Sequence, residues 1–327
     1  MIKDPDWDKG YIAFLVNYFE PAFRLPVEIL PGLLLRKATP EEMALFQPYD
    51  DAAHLDRGDI RIRRYRISLA DVKTETNENF RGYVWQFGLR HWARFGSESH
   101  SIYDRLELAC SIAESALRPV LVCELRPKLD PYFFTHNLHR HTVLRRRELG
   151  NFLQRIPKLT TADLNEIHDV VGHLKELSSQ DITIFEAIDR FKQVELISTE
   201  SDFHTFGLFT VIEYLLTHKP KNEDQTDSVN KQIRAKAPLI ARQFDYAVPI
   251  TKFFEEMSED KAWKILYAYR SAIAHGGKIN FATRSSKNGY AELKDPKRVE
   301  AFLYVFTRRL LKAAVRNPKA ISDLKRQ

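Results

Sequence analysis

Apolar positions change their period about halfway along the chain. Before residue 150 the apolar runs are short. Ile60 to Ser68 sets Ile60, Ile62, Tyr65 and Ile67 among Arg61, Arg63, Arg64 and Arg66, which predicts a strand with one face buried. Phe80 to Leu89 and Val120 to Leu125 are rich in aromatic and β-branched residues and predict two further strands. Pro40 to Phe46 and Tyr103 to Leu117 have helical spacing. Pro21, Pro26, Pro31 and Pro40 argue against long helices in the leading segment.

From about Leu149 the spacing is helical throughout. Thr160 or Thr161 caps a helix that reaches Leu177, Ser178-Ser-Gln-Asp181 breaks it, and a second helix covers Ile182 to Leu196. Ser201 caps a third, Asp202 to Thr217, with Phe206, Phe209, Ile212 and Leu216 on one face. Lys219 to Asp227 is a polar loop. Val229, Ile233, Ala237, Ile240 and Phe244 mark a fourth helix with Pro238 inside it, and Ser258 caps a fifth. Gly277 to Leu293 is irregular. A last helix follows Pro296, striped by Val299, Phe302, Leu303, Phe306, Leu310 and Ala313. The predicted class is α+β: a mixed α/β N-terminal domain over residues 1–155, then an all-α bundle over residues 156–327.

Composition narrows this picture. A chain of 327 residues that is 44% hydrophobic holds one large globular domain or two ordinary ones, and 15 Pro with 12 Gly are too few for a fibrous or disordered chain. Cys110 and Cys123 suit a reducing compartment, with a single disulfide as the alternative. The opening Met-Ile-Lys-Asp-Pro-Asp-Trp-Asp lacks an apolar signal core. No run approaches the roughly 18 apolar residues of a membrane span. The expectation is a soluble, cytoplasmic protein with no membrane partner. A net charge of +6 leans toward anionic partners without identifying one.

The fifth helix carries the chemistry. Trp263, Leu266, Tyr267, Arg270 and Ala274 share one stripe, so Arg270 stands where a hydrophobe is expected. Ile265, Ala268, Ala272 and Ile273 make the remaining faces apolar too, which predicts a helix buried in its domain or shared with a second subunit. An unpaired buried guanidinium is costly, so Arg270 needs an anion or a solvent cleft. Glu213, between Phe209 and Leu216 on the third helix, is equally out of place and is the expected neighbour. His275 ends the helix, with Gly276 placed for a left-handed cap. Five positions separate the two side chains by roughly 140° on a straight helix, and termination at His275 relaxes that constraint. A fixed cation and a proton carrier are what phosphodiester cleavage requires. The same residues also fit a structural ion pair and a capping histidine. Arg94 and His100 repeat the spacing but straddle Gly96-Ser97, outside any helix.

Tyr269-Arg-Ser-Ala-Ile-Ala-His275-Gly276, following Thr210-Val-Ile-Glu213-Tyr-Leu-Leu216 upstream, resembles the HEPN superfamily, and more narrowly its ApeA-like ribonuclease branch associated with prokaryotic antiviral defence. The resemblance is best over about residues 160–320. A looser likeness to ApeA-like N-terminal regions lies in Leu30-Pro-Gly-Leu-Leu-Leu-Arg36 and Thr39-Pro-Glu-Glu42. It implies a HEPN-like helical bundle that forms a homodimer, with a composite, metal-independent, cofactor-free endoribonuclease site. Arg270 and His275 match the motif's arginine and histidine, and Glu213 matches an acidic residue on an earlier helix. Tyr269 and Ser271 flank the arginine as supporting residues; Ser271 stands where the wider superfamily often has Asn, Asp or His. The implied partner is RNA, with a regulatory protein or phage-derived trigger, in a defence or toxin-like role. The alternative is a non-catalytic HEPN module that binds nucleic acid or nucleotide, or only dimerises.

A basic patch stands apart. His136, His139, His141, Arg140 and Arg145-Arg146-Arg147 follow Tyr132-Phe-Phe134. They fit an RNA-binding surface with stacking aromatics, a metal site of three imidazoles, or a solvated basic turn. The arginines of Ile60 to Ile67 offer a second RNA contact or an ordinary exposed face. Gly-rich phosphate loops, His-Glu-x-x-His and Gly-x-Ser-x-Gly patterns are absent from the sequence.

Overall fold

The Pro-punctuated leading segment builds strands. Four of them are β1 (Tyr11–Leu15), β2 (Glu20–Pro21), β3 (Val27–Leu30) and β4 (Leu33–Lys37). Pro21 lies in β2, and Pro26 sits just before β3, where no ladder N–H is lost. The structure is a computed structural model and describes residues 11–15, 20–30, 33–39, 83–87, 102–113, 117, 119–124, 132–134, 158–219, 228–244, 248–277, 279–282 and 290–326.

Two predicted strands form, β5 (Tyr83–Phe87) inside its predicted span and β6 (Pro119–Glu124) one residue early, with β7 (Tyr132–Phe134) and β8 (Lys158–Leu159) beyond them. The predicted strand Ile60 to Ser68 and helix Pro40 to Phe46 lie outside the described residues. The helix predicted from Tyr103 forms as α1 (Ile102–Ile112), ending short of Leu117. The sheet runs β3-β4-β5-β1-β6-β7, antiparallel at every pairing, and β2 pairs with β8 in parallel.

The chain separates into two compact units, Met1–Ser111 with Ser115–Val171, and Ile112–Glu114 with Gly172–Gln327. The division falls within α2 (Thr161–Glu176). Thr160 caps that helix: its hydroxyl and N–H donate to Asp163 Oδ2 at 2.7 and 2.6 Å, and its Oγ1 accepts from the Asp163 N–H at 3.3 Å, a reciprocal arrangement that satisfies otherwise orphaned donors.

The second unit is helical: α3 (Ile182–Val194), α4 (Asp202–Leu216), α5 (Val229–Gln243), α6 (Ile250–Phe254), α7 (Glu259–Ala274), α8 (Pro296–Arg316) and α9 (Pro318–Arg326). Together the described residues make an α+β composition, mostly helical. α4 is its centre and touches α3, α5, α7, α8 and α9. Leu208, Phe209, Val211, Ile212, Leu215 and Leu216 are all buried on it, because its sequence is apolar nearly all round. At Gly207 an added Cβ would stand 2.6 Å from Val194 Cγ2, so α3 and α4 approach there more closely than any side chain allows. Pro238 lies inside α5, as the sequence placed it. Two short helices were not predicted. α6 is barely one turn behind Pro249, and α9 restarts at Pro318, where a missing N–H costs nothing.

Candidate functional site

α7 is fixed at both ends by its own sequence. Ser258 Oγ accepts from the Lys261 N–H at 3.4 Å, and Glu259 and Asp260 place negative charge at the positive end of the helix dipole. Ala262, Trp263, Leu266 and Tyr269 are buried, with Trp263 edge-on to Phe302 and Phe306 of α8 at 5.6 and 4.7 Å. The helix is not enclosed on every side within its own unit, so of the two expectations for an all-round apolar helix, burial within the domain is not met. Lys264, Ala268 and Ala274 are exposed, and Ile265, Ala272 and Ile273 are half-buried.

At the other end the chain leaves the helix through a Schellman motif. His275 is the cap residue, one step past the last helical turn where the sequence placed it. Gly276 has φ +63°, its N–H donates to Ile273 C=O at 3.2 Å, and the Gly277 N–H donates to Ala272 C=O at 2.8 Å. The left-handed position is the one predicted, and it suits glycine. His275 is exposed.

Arg270 meets Glu213, as their shared misfit predicts. Nη2 donates to Oε2 at 2.9 Å, and Nε lies 2.8 Å from Oε1 but off the N–H direction, so that limb is an ion pair without a well-aligned hydrogen bond. The two side chains are 20% and 17% exposed, which leaves the guanidinium reachable from water. Its Cζ lies 4.8 Å from the Phe206 ring centroid and 5.7 Å from that of Tyr267, close enough for cation–π attraction. Burial pushes the Glu213 carboxyl above the ordinary carboxylate range; the hydrogen bond and charge of Arg270 offset only part of that. Burial, then the Glu213 charge, raises the Tyr267 phenol, against the pull of Arg270.

The remaining predicted residues are placed differently. Tyr269 is fully buried and its hydroxyl donates to Asp202 Oδ1 at 3.2 Å. Burial and that carboxylate hold its phenol well above the usual range, so it remains a donor. Phe281 and Tyr290 pack edge-on against its ring, at 5.4 and 5.3 Å. Ser271 is half-buried and its C=O accepts from the His275 N–H at 3.1 Å. Arg140, Arg145, Arg146 and Arg147, with His136, His139, His141 and Arg61 to Arg66, lie outside the described residues, as does the predicted loop beyond Lys219. Among the described residues no cluster of three or more His, Cys, Asp and Glu could hold a metal ion.

Phe206, Tyr267 and Asp202 were missed as site residues. Phe206 was legible in principle: it lies seven positions before Glu213, on the same face of α4. No family model, no curated protein and no solved structure matches this chain. Among the described residues, no helix is long and apolar enough to cross a membrane.

Proposed function

We propose that the helical unit is a HEPN-type, metal-independent endoribonuclease, regulated by the N-terminal unit and acting in antiviral defence or as a toxin. The observation that carries this reading is one helix end that offers two complementary groups. Arg270 is oriented by Glu213 and Phe206 yet 20% open to water, and His275 is exposed at the capped terminus five residues on.

In this mechanism a ribose 2′-hydroxyl attacks its own 3′-phosphate. His275 accepts the hydroxyl proton or delivers one to the departing 5′-oxygen. Arg270, from the same chain or from a second copy, stabilises charge on the phosphoryl oxygens. Glu213 prevents the guanidinium from collapsing into other geometries, and an incoming phosphate competes for it. The RNA brings its own nucleophile. The half-buried apolar residues along α7 favour a homodimer that places two such ends together.

A second reading is a non-catalytic HEPN module that binds nucleic acid or dimerises. It is favoured by the Arg270–Glu213 pair, which neutralises the guanidinium without any ligand. Purified protein incubated with total RNA in chelator separates the two. The proposal expects RNA to be cut and DNA spared, with Arg270→Ala and His275→Ala each slower by about 100-fold or more. Cutting at the wild-type rate by both variants would overturn it.

A further inference from the structure

Phe203 is 68% exposed, more so than the other large hydrophobics left open among the described residues, Ile182 at 58% and Leu239 at 49%. It sits in the first turn of α4, where Ser201 Oγ accepts its N–H at 3.2 Å. Its backbone is therefore fixed while its ring lies in water. Three positions on, Phe206 carries the Arg270 guanidinium, and seven beyond that Glu213 holds it. Residues three apart on a helix are surface neighbours, about 5–6 Å between Cβ atoms. The preceding residue, Asp202, touches α7 through Tyr269, so this end of α4 lies against the half of α7 that carries Arg270. The result is a stripe along α4 of a bare aromatic ring, a ring under a guanidinium, and the carboxylate that orients it.

We infer that Phe203 is the stacking platform for an unpaired nucleobase of RNA whose phosphate engages Arg270. The inference rests on the ribonuclease reading and adds a positioning residue to it. A base fits this spot better than a phosphate does, because Glu200 and Asp202, both exposed, put negative charge beside the ring. A π-face accepts any base, so the platform selects single-stranded substrate without selecting sequence. Tyr214, on the same helix, is no substitute. Its ring already carries the Arg190 guanidinium at 4.4 Å and the Lys325 ammonium at 4.3 Å, and its hydroxyl donates to Glu186.

The test uses full-length wild-type, Phe203→Ala and Phe203→Trp proteins, with fluorescein-labelled oligouridylate and oligothymidylate read by anisotropy. Phe203→Ala weakens binding of both by about ten-fold, the worth of one stacked base, and Phe203→Trp restores it. In cleavage assays the same loss falls on KM and leaves kcat unchanged. Unaltered melting checks that the exposed position leaves the fold intact. If the wild type binds both oligonucleotides through Phe203 but cuts neither, the ribonuclease reading fails and the platform stands. If Phe203→Ala binds like the wild type, the inference is overturned. A wild type with no affinity for either oligonucleotide, or a Phe203→Ala change in particle mass by light scattering at unchanged affinity, overturns it as well.

Discussion

Glu213 is buried against Arg270 at a cost. Its pairing with Arg270 offsets part of the desolvation and no more, so its carboxyl stays above the ordinary value. The folded protein therefore binds the Glu213 proton more tightly than the unfolded chain does. That stabilising contribution is present below the ordinary carboxylate value and is lost as pH rises through the raised one. Glu213→Gln should match the wild type in acid and gain relative stability as pH climbs through that window. Denaturant titrations at a series of pH values read this directly, and a variant that loses ground as pH rises would contradict it. The pair was legible in the sequence because each residue interrupts an apolar face where a hydrophobe belongs, and two such interruptions relieve one another. Phe206, although it shares the Glu213 face of α4, and Tyr267 do not stand out in the sequence as site residues. Each is an ordinary apolar-stripe residue until the cation is known to lie over its ring.

Helices announce themselves through local signals, which is why α2, α4, α7 and α8 lie where their caps place them. Thr160, Ser201, Ser258 and Asp295 each accept a backbone N–H of the first turn. The short helices α6 and α9 lack a periodic stripe long enough to detect, and only packing onto α8 reveals them. How closely two helices approach is a tertiary fact too. Gly207 looks like a weak point in α4, since glycine costs about 1 kcal/mol relative to alanine within a helix. The 2.6 Å approach to Val194 reverses that expectation. Val194 is β-branched and buried, so it cannot swing away, and overpacking costs about 1–3 kcal/mol. Gly207→Ala should destabilise the helical unit by about 1 kcal/mol in urea titration, and Val194→Ala on that background should recover part of the loss. An alanine variant as stable as the wild type would show that the two helices can separate freely.

At the scale of the whole molecule, the change of texture near Leu149 was visible because strand and helix impose different apolar periods. The strand order was not. β1 lies between β5 and β6, and a choice among partners far apart in sequence leaves no trace in any local pattern. The leading strands were hidden for a second reason: prolines that exclude helix also mask the edges of short strands. The proposed ribonuclease rests on Arg270 and His275 at the end of α7, and the chemistry of the cut ends tests it most directly. RNA treated with the wild-type protein in chelator should carry 2′,3′-cyclic phosphate on one side of each cut and 5′-hydroxyl on the other, because the attacking oxygen belongs to the substrate. Both ends should form about 100-fold more slowly, or slower still, with Arg270→Ala or His275→Ala. Fragments bearing 5′-phosphate, or intact RNA with the wild type, would contradict the account.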